Sequence, residues 1–192
     1  MKFLTLFFLC VLCGCGYHCK GSYSDTSVSV PYVKGDSEGA LTSQIIRQLS
    51  SSGQFQYSPS EGILILQVAI VSDKNEKIDY RYGRDNTTGD LTDHLYPTEN
   101  RRTLSAEVVL LYAGSEEILF GPEIITAITE YDYVDVGSAR DLSFVDPQGR
   151  RQIVLDFSQG QLDSIEGAQD DSLTPLYRKL AENIVAALTV IP

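Results

Sequence analysis

The sequence predicts an α+β fold, a two-layer sandwich in which a mostly antiparallel sheet of about four or five strands packs against two helices. Two kinds of pattern point there. Leu41, Ile45 and Leu49 recur at spacing four, as do Leu176, Leu180, Ile184 and Leu188, and each set makes one apolar helical stripe. Between and before them lie segments whose apolar residues recur every second position, the period of a strand with one covered face. The predicted order is β-α-β-β-β(-β)-α.

The elements follow in chain order. Val28, Val30 and Tyr32 alternate with Ser27 and Ser29, and Pro31 near the end marks an edge strand or a strand terminus. Lys34 to Glu38 turns the chain. Asp36 or Ser37 can then cap the first helix, and Glu38 suits the positive end of its dipole. Gly53 is placed to close that helix in the left-handed conformation. Gly62 to Val71 is apolar at successive positions, which predicts a central strand covered on both faces. Asp73-Lys74-Asn75 reads as a turn and Ile78, Tyr80 and Tyr82 as the returning strand of a hairpin.

Gly83 to Asn100 reads as a long polar loop. Leu104, Ala106, Val108, Leu110 and Tyr112 restore the period of two, and Gly114-Ser115 turns the chain. Ile118 to Phe120 starts a strand that Gly121-Pro122 should bend or bulge before Ile124 to Thr129 continues it. From Val134 to Asp171 the pattern weakens. Ile153, Leu155 and Phe157 could add a short strand, and Gly160 to Asp171 reads as an irregular acidic segment. Thr174-Pro175 is a cap followed by a first-turn proline, and opens the last helix.

The N-terminus has a different logic. Lys2 precedes the apolar run Phe3 to Val11, and small residues follow it, which is the pattern of a secretory signal too short to span a bilayer. Leu12-Cys13-Gly14-Cys15 resembles the lipobox of bacterial lipoproteins. That resemblance implies a diacylglyceryl group on the Cys15 sulfur and cleavage before Cys15. Residues 1–14 would be the signal peptide, 15–25 the lipidated cysteine and a tether, and 26–192 a single domain. The alternative is an ordinary, cysteine-rich secretion signal. Two or three acyl chains on one residue hold a protein at a membrane surface where one alone would not. Cys19 is then the one remaining thiol, either idle near the anchor or paired with another chain.

Composition narrows the function. The 192 residues carry a net charge of −11, and loss of the signal, with Lys2, makes it −12. Such a balance argues against nucleic acid and against electrostatic adhesion to anionic lipids. The sequence contains no G-x-S-x-G, Walker, dinucleotide or H-E-x-x-H motif, so no catalytic residue, cofactor or metal is assigned. His94 lies near Asp90, Asp93 and Glu99, where a metal or acid–base role competes with a solvated loop histidine. Arg101 and Arg102, with Arg81 and Arg84, could present a cluster of guanidinium forks to a phosphorylated glycolipid from a loop tip. The other reading pairs them with Asp79, Asp85 and Glu99.

Three stretches carry a family resemblance: Cys15-Gly16-Tyr17-His18; Gly39 through Gln44 with Arg47-Gln48-Leu49 and Gly53; and Leu176 through Val185. Together with the predicted element order they resemble the LPS-assembly lipoproteins of the LptE type. The resemblance implies a lipoprotein on the periplasmic side of the outer membrane. It would plug a β-barrel translocon of the LptD kind and assist lipopolysaccharide export without turnover. Basic loop residues would touch lipopolysaccharide, a role that Arg101 and Arg102 fit loosely. Asp163, Glu166, Asp170 and Asp171 make the region before the last helix acidic where that family pattern leads one to look for a basic contact. A scaffold lipoprotein of another outer-membrane complex and a membrane-anchored enzyme are the competing readings.

Overall fold

The computed structural model describes residues 26–85, 87–135, 137–138, 142–153 and 164–189. The lipidation reading at Cys15, and Leu155 and Phe157 of the extra strand, lie outside the described residues. The fold is the expected α+β sandwich, a five-stranded sheet with helices on one face and a separate two-stranded sheet. In chain order the elements are β1 (Ser27–Ser29), α1 (Ala40–Ser52), β2 (Gln56–Tyr57), β3 (Leu64–Arg84), β4 (Leu91–Tyr112) and β5 (Ile118–Asp132). The small sheet, β6 (Ser143–Val145) and β7 (Arg151–Ile153), follows, and then α2 (Ile165–Asp171) and α3 (Leu173–Leu188).

The main sheet runs β2-β1-β3-β4-β5. β1 is therefore internal rather than an edge, parallel to both β2 and β3, while the long β3–β4 and β4–β5 pairs are antiparallel. One face is apolar and covered. Val28, Leu64, Leu66, Val68, Leu104, Ala106, Val108, Leu110 and Ala127 meet Leu41, Ile45 and Leu49 of α1 and Leu176, Leu180, Ile184 and Leu188 of α3. Both helical stripes are where the spacing placed them. A fully buried Leu or Ile contributes about 1.5–3 kcal/mol, so these seven leucines and isoleucines are a main source of the fold's stability.

Among the described residues no helix covers the other face. Ile63 and Val71 are exposed, which corrects the expectation that the Gly62–Val71 strand is covered on both sides. Its continuous apolar run reflects an outer face that is apolar yet open.

The caps follow local chemistry. Gly39, in the left-handed conformation, is the formal cap of α1, but the carboxylate that satisfies the helix is Asp36. Its Oδ2 accepts the Thr42 amide and the Thr42 hydroxyl, both at 2.8 Å, and Thr42 Oγ1 in turn accepts the Val33 amide at 3.2 Å. Gly53 ends the helix with φ 68°, as its placement requires. α3 starts one residue before the predicted Thr174 cap, because α2 runs directly into Ser172, which caps both helices. Pro175 still falls in the first turn, where no backbone donor is needed. Gly160–Asp171 is accordingly not irregular at its end: Ser164 Oγ accepts the Gly167 amide and opens α2.

The larger correction concerns the hairpin. Asp73-Lys74-Asn75 is not a turn; β3 continues through it for 21 residues. Its partner is the 22-residue β4, which absorbs the segment Leu91–Asn100 that read as loop. The real turn is closed by the Asp85 amide on the Asp90 carbonyl. Polar residues that look like a turn in isolation are here paired across the sheet, Asp73 with Leu104 and Asn75 with Arg102.

At Gly62 the chain crosses β1. A Cβ there would collide with the Ser29 nitrogen and lie 2.9 Å from the Val28 carbonyl carbon, backbone atoms that cannot swing aside. Gly62→Ala should therefore cost about 1–3 kcal/mol in urea unfolding, the range for overpacking. Gly114→Ala, with open space at that position, should leave the midpoint unchanged.

Candidate functional site

Beyond the body of the sheet, β3 and β4 continue as a two-stranded arm. The β5 ladder to β4 ends at Asp132 opposite Glu99, with the Tyr133 amide donating to the Thr98 carbonyl at 3.1 Å just past it, and the β1 side reaches β3 as far as Ile70. The arm's register is Tyr80 with Pro97, Arg81 with Tyr96, Tyr82 with Leu95 and Arg84 with Leu91. Residues opposite one another in an antiparallel pair share a face. Tyr80, Tyr82, Leu95 and Pro97 thus lie on one side of the ribbon and Arg81 and Tyr96 on the other. Tyr82, Leu91 and Leu95 are 55, 61 and 56 % exposed, an apolar stripe with no helix above it among the described residues.

The tip is tightly built. The Asp85 amide donates to the Asp90 carbonyl at 2.9 Å, and Asp85 Oδ1 accepts the Thr87 and Thr88 amides at 2.8 Å each. Those bonds, Thr88 first, hold the Asp85 carboxyl below the ordinary carboxylate range. Arg151 of β7 donates Nη1 to Ser143 Oγ at 2.8 Å and reaches the Thr88 carbonyl at 3.4 Å, tying the small sheet to the tip. Gly89, at φ 81°, leaves room for that guanidinium; any side chain there would collide with it.

Where the arm joins the body, the buried face changes from apolar to polar. Arg102, 7 % exposed, donates Nε and Nη2 to the two Asp73 oxygens at 2.9 and 2.6 Å, and Nη1 to the Gln169 carbonyl of α2 at 3.0 Å. The hydrogen bonds to Asp73 hold the guanidinium more firmly charged than usual. Asn100 Nδ2 donates to the Tyr131 hydroxyl, which donates to Asn75 Oδ1, both at 3.2 Å. Burial also raises the Tyr133 phenol above its ordinary range.

The four arginines of the predicted phosphate cluster are not gathered. Arg101 and Arg102 lie mid-strand rather than at a loop tip, on opposite faces, because successive strand residues point opposite ways. Arg101 pairs with Glu130 at 2.7 Å on the open face. Arg81 donates to the Ser138 carbonyl at 2.9 Å, and Arg84 to the Gly89 carbonyl at 3.0 Å. From Arg101 to Leu91, the partner of Arg84, is ten residues, about 33 Å of strand. The ion-pair partner of Arg101 is Glu130 and that of Arg102 is Asp73, neither of them among the expected Asp79, Asp85 and Glu99.

His94 is exposed and stacks edge-on to Tyr96 at 6.5 Å. Among the described residues no group of three acidic, histidine or cysteine side chains could hold a metal ion. The residues that sequence reasoning missed are Leu91 and Leu95. Their spacing of four on a segment read as loop hid a strand stripe.

Around Glu99 negative charges outnumber positive ones. Its carboxyl titrates above the ordinary range, through burial first and then repulsion by Asp132, Glu130 and Asp79, against the pull of Arg101. A carboxyl whose folded pKa is raised opposes folding while it is ionised, and that opposition fades as pH falls through the raised value. Glu99→Gln should therefore raise the melting temperature at pH 7 and lose that advantage by about pH 4, near the ordinary Glu value. Arg102→Met should lower stability by about 2–4 kcal/mol in urea titration. That is somewhat below the range for a fully buried pair, since Asp73 is 38 % exposed.

No protein-family model and no curated protein sequence matches the chain. Solved structures of similar form include a minor lipoprotein from Acinetobacter baumannii, at TM-score 0.46 and 11 % identity, covering 85 % of this chain and 92 % of that one. A lipoprotein from Caulobacter crescentus aligns at TM-score 0.43 and 14 % identity, over 84 % of this chain and 86 % of that one. Rare lipoprotein B from Shewanella oneidensis aligns at TM-score 0.40 and 13 % identity, covering 85 % of this chain and 93 % of that one.

Proposed function

We propose that the chain is an outer-membrane lipoprotein, held by acyl chains on Cys15, that plugs and assists a β-barrel lipopolysaccharide translocon of the LptD kind. In this reading it is a structural partner without turnover, facing the periplasm. The observation that carries it is the arm: an extended apolar stripe of Tyr80, Tyr82, Leu91 and Leu95, bare on a chain of net charge −11. Apolar surface of that kind is what another polypeptide covers. Among the described residues no helix is long and apolar enough to cross a membrane, and the anchor reading requires none.

The arginines support the barrel partnership more than direct lipid recognition. Arg102 is committed to Asp73 and α2, and Arg101 to Glu130. A lipopolysaccharide phosphate would have to displace a carboxylate at either. That geometry keeps a second reading in view, a scaffold lipoprotein of another outer-membrane complex that never touches lipopolysaccharide.

Depleting the protein and assaying surface lipopolysaccharide separates the two: loss of surface lipopolysaccharide supports the translocon, and unchanged levels support the scaffold. In mild-detergent co-purification, a lipopolysaccharide-exporting barrel should accompany the wild-type chain. Tyr82→Ser with Leu95→Ser should reduce its recovery about tenfold or more, the loss of roughly 1.4 kcal/mol or greater expected when two anchors are truncated. Arg101→Ala should leave recovery unchanged.

A further inference from the structure

The arm is one end of the molecule; the other end carries a second apolar surface. The chain enters the fold at Thr26, just before β1. β1 is parallel to β3, with Val28 opposite Leu64, so the entry point lies at the start of β3. Ser27 Oγ accepts the Ile63 amide at 3.0 Å, and the Ile63 carbonyl accepts the Ala113 amide at 2.9 Å. Ile118 lies opposite Leu111 across the turn between β4 and β5. Ile63, Tyr112, Ile118 and Leu119 are 55, 39, 56 and 37 % exposed, and all sit at this one end of the sheet. Ile63 and Tyr112 also border one open hollow with residues 113–115 and Glu117.

We propose that this end is a membrane-contact surface, seated on the bilayer that carries the anchor. The inference rests on the lipidation of Cys15 proposed above. Its geometry is set by chain length. Residues 15–25 are eleven, and a fully extended chain spans at most about 3.5 Å per residue, so the entry point cannot leave the bilayer by more than about 38 Å. The hairpin tip lies 20 residues further along β3, about 65 Å away. The apolar end beside the anchor is therefore the one that the tether presents to lipid continually, at high effective concentration.

Charge and hydrogen bonding decide among occupants. A second copy would bring another large negative charge and the same carboxylates to the contact, which opposes pairing. An added strand is unsuited to the turn, whose backbone is closed on itself: Tyr112 N–H donates to the Glu117 carbonyl and Glu116 N–H to the Tyr112 carbonyl, both at 3.0 Å. A bilayer needs neither, and the phenol of Tyr112 suits its wet boundary. Glu61, Glu116 and Glu117 rim the patch and select zwitterionic over anionic headgroups.

The chain has no tryptophan, so Tyr112→Trp makes a single reporter. The full lipidated protein carrying it would be reconstituted into phosphatidylcholine vesicles with acyl chains brominated near the headgroup, and the N-terminal peptide of the same preparation weighed by mass spectrometry. The emission should be blue-shifted and quenched. Adding Ile63→Ser and Ile118→Ser should abolish the quenching, and replacing half the lipid with phosphatidylglycerol should reduce it. A Tyr82→Trp reporter at the arm should stay unquenched. Unquenched Tyr112→Trp emission from a chain whose N-terminal peptide carries the acyl mass overturns the contact and leaves the anchor standing. Equal quenching of both reporters also overturns it. An unacylated N-terminal peptide removes the anchor and the inference together.

Discussion

The pairing of β3 with β4 sets the position of every other element in the main sheet. The helices cover only the first part of that ribbon, from Leu64 opposite Tyr112 to the neighbourhood of Leu104. Past that point apolar packing stops and a polar layer takes over, with Asp73, Asn75, Asn100, Arg102 and Tyr131 joined in hydrogen-bonded pairs. That layer lets the ribbon leave the core without stranding most of its buried polar groups. It also pins register. A slip of one residue would turn Leu104 and Arg102 to the open face and bring Thr103 and Arg101 inward, losing apolar burial and the Asp73 pair at once.

A sheet with an open face and two edges invites unwanted pairing, and the chain answers at each edge differently. On β5, Asn183 and Lys179 of α3 donate to the Thr126 and Ile128 carbonyls at 3.0 and 3.2 Å, occupying acceptors that an incoming strand would use. On β3, Asp73, Lys74, Glu76 and Lys77 place charge along the edge that β1 no longer covers, and Asp79 takes the Tyr80 amide at 2.8 Å. On the arm and at the entry end the chain instead leaves large apolar side chains bare. Contacts through those side chains, rather than strand addition, fit this distribution.

Much of this was legible in the sequence where the signal is local. The stripes of α1 and α3, the left-handed Gly53, and the disturbance at Gly121-Pro122 all rest on spacing or on single residues with special backbones. At Gly121-Pro122 the β4–β5 register shifts beside Leu110, as a bulge requires. What was not legible depends on partners far along the chain. Asp73-Lys74-Asn75 has the composition of a turn, and its pairing with Leu104, Thr103 and Arg102, far along the chain, makes it strand. Leu91–Asn100 lacks alternating apolar residues because it pairs with β3 without packing on the core. The adjacency of Arg101 and Arg102 suggested a cluster, but adjacency in a strand separates side chains onto opposite faces.

The arm is proposed to be a surface that another protein covers. Photo-activatable residues placed at Tyr82 and at Leu95 in living cells test it most directly. Both positions should cross-link to one heat-modifiable β-barrel of the outer membrane, while the same group at Glu107, on the open face of the sheet body, should not. Cross-links from the arm to lipid alone, or equal yield from all three positions, would contradict it.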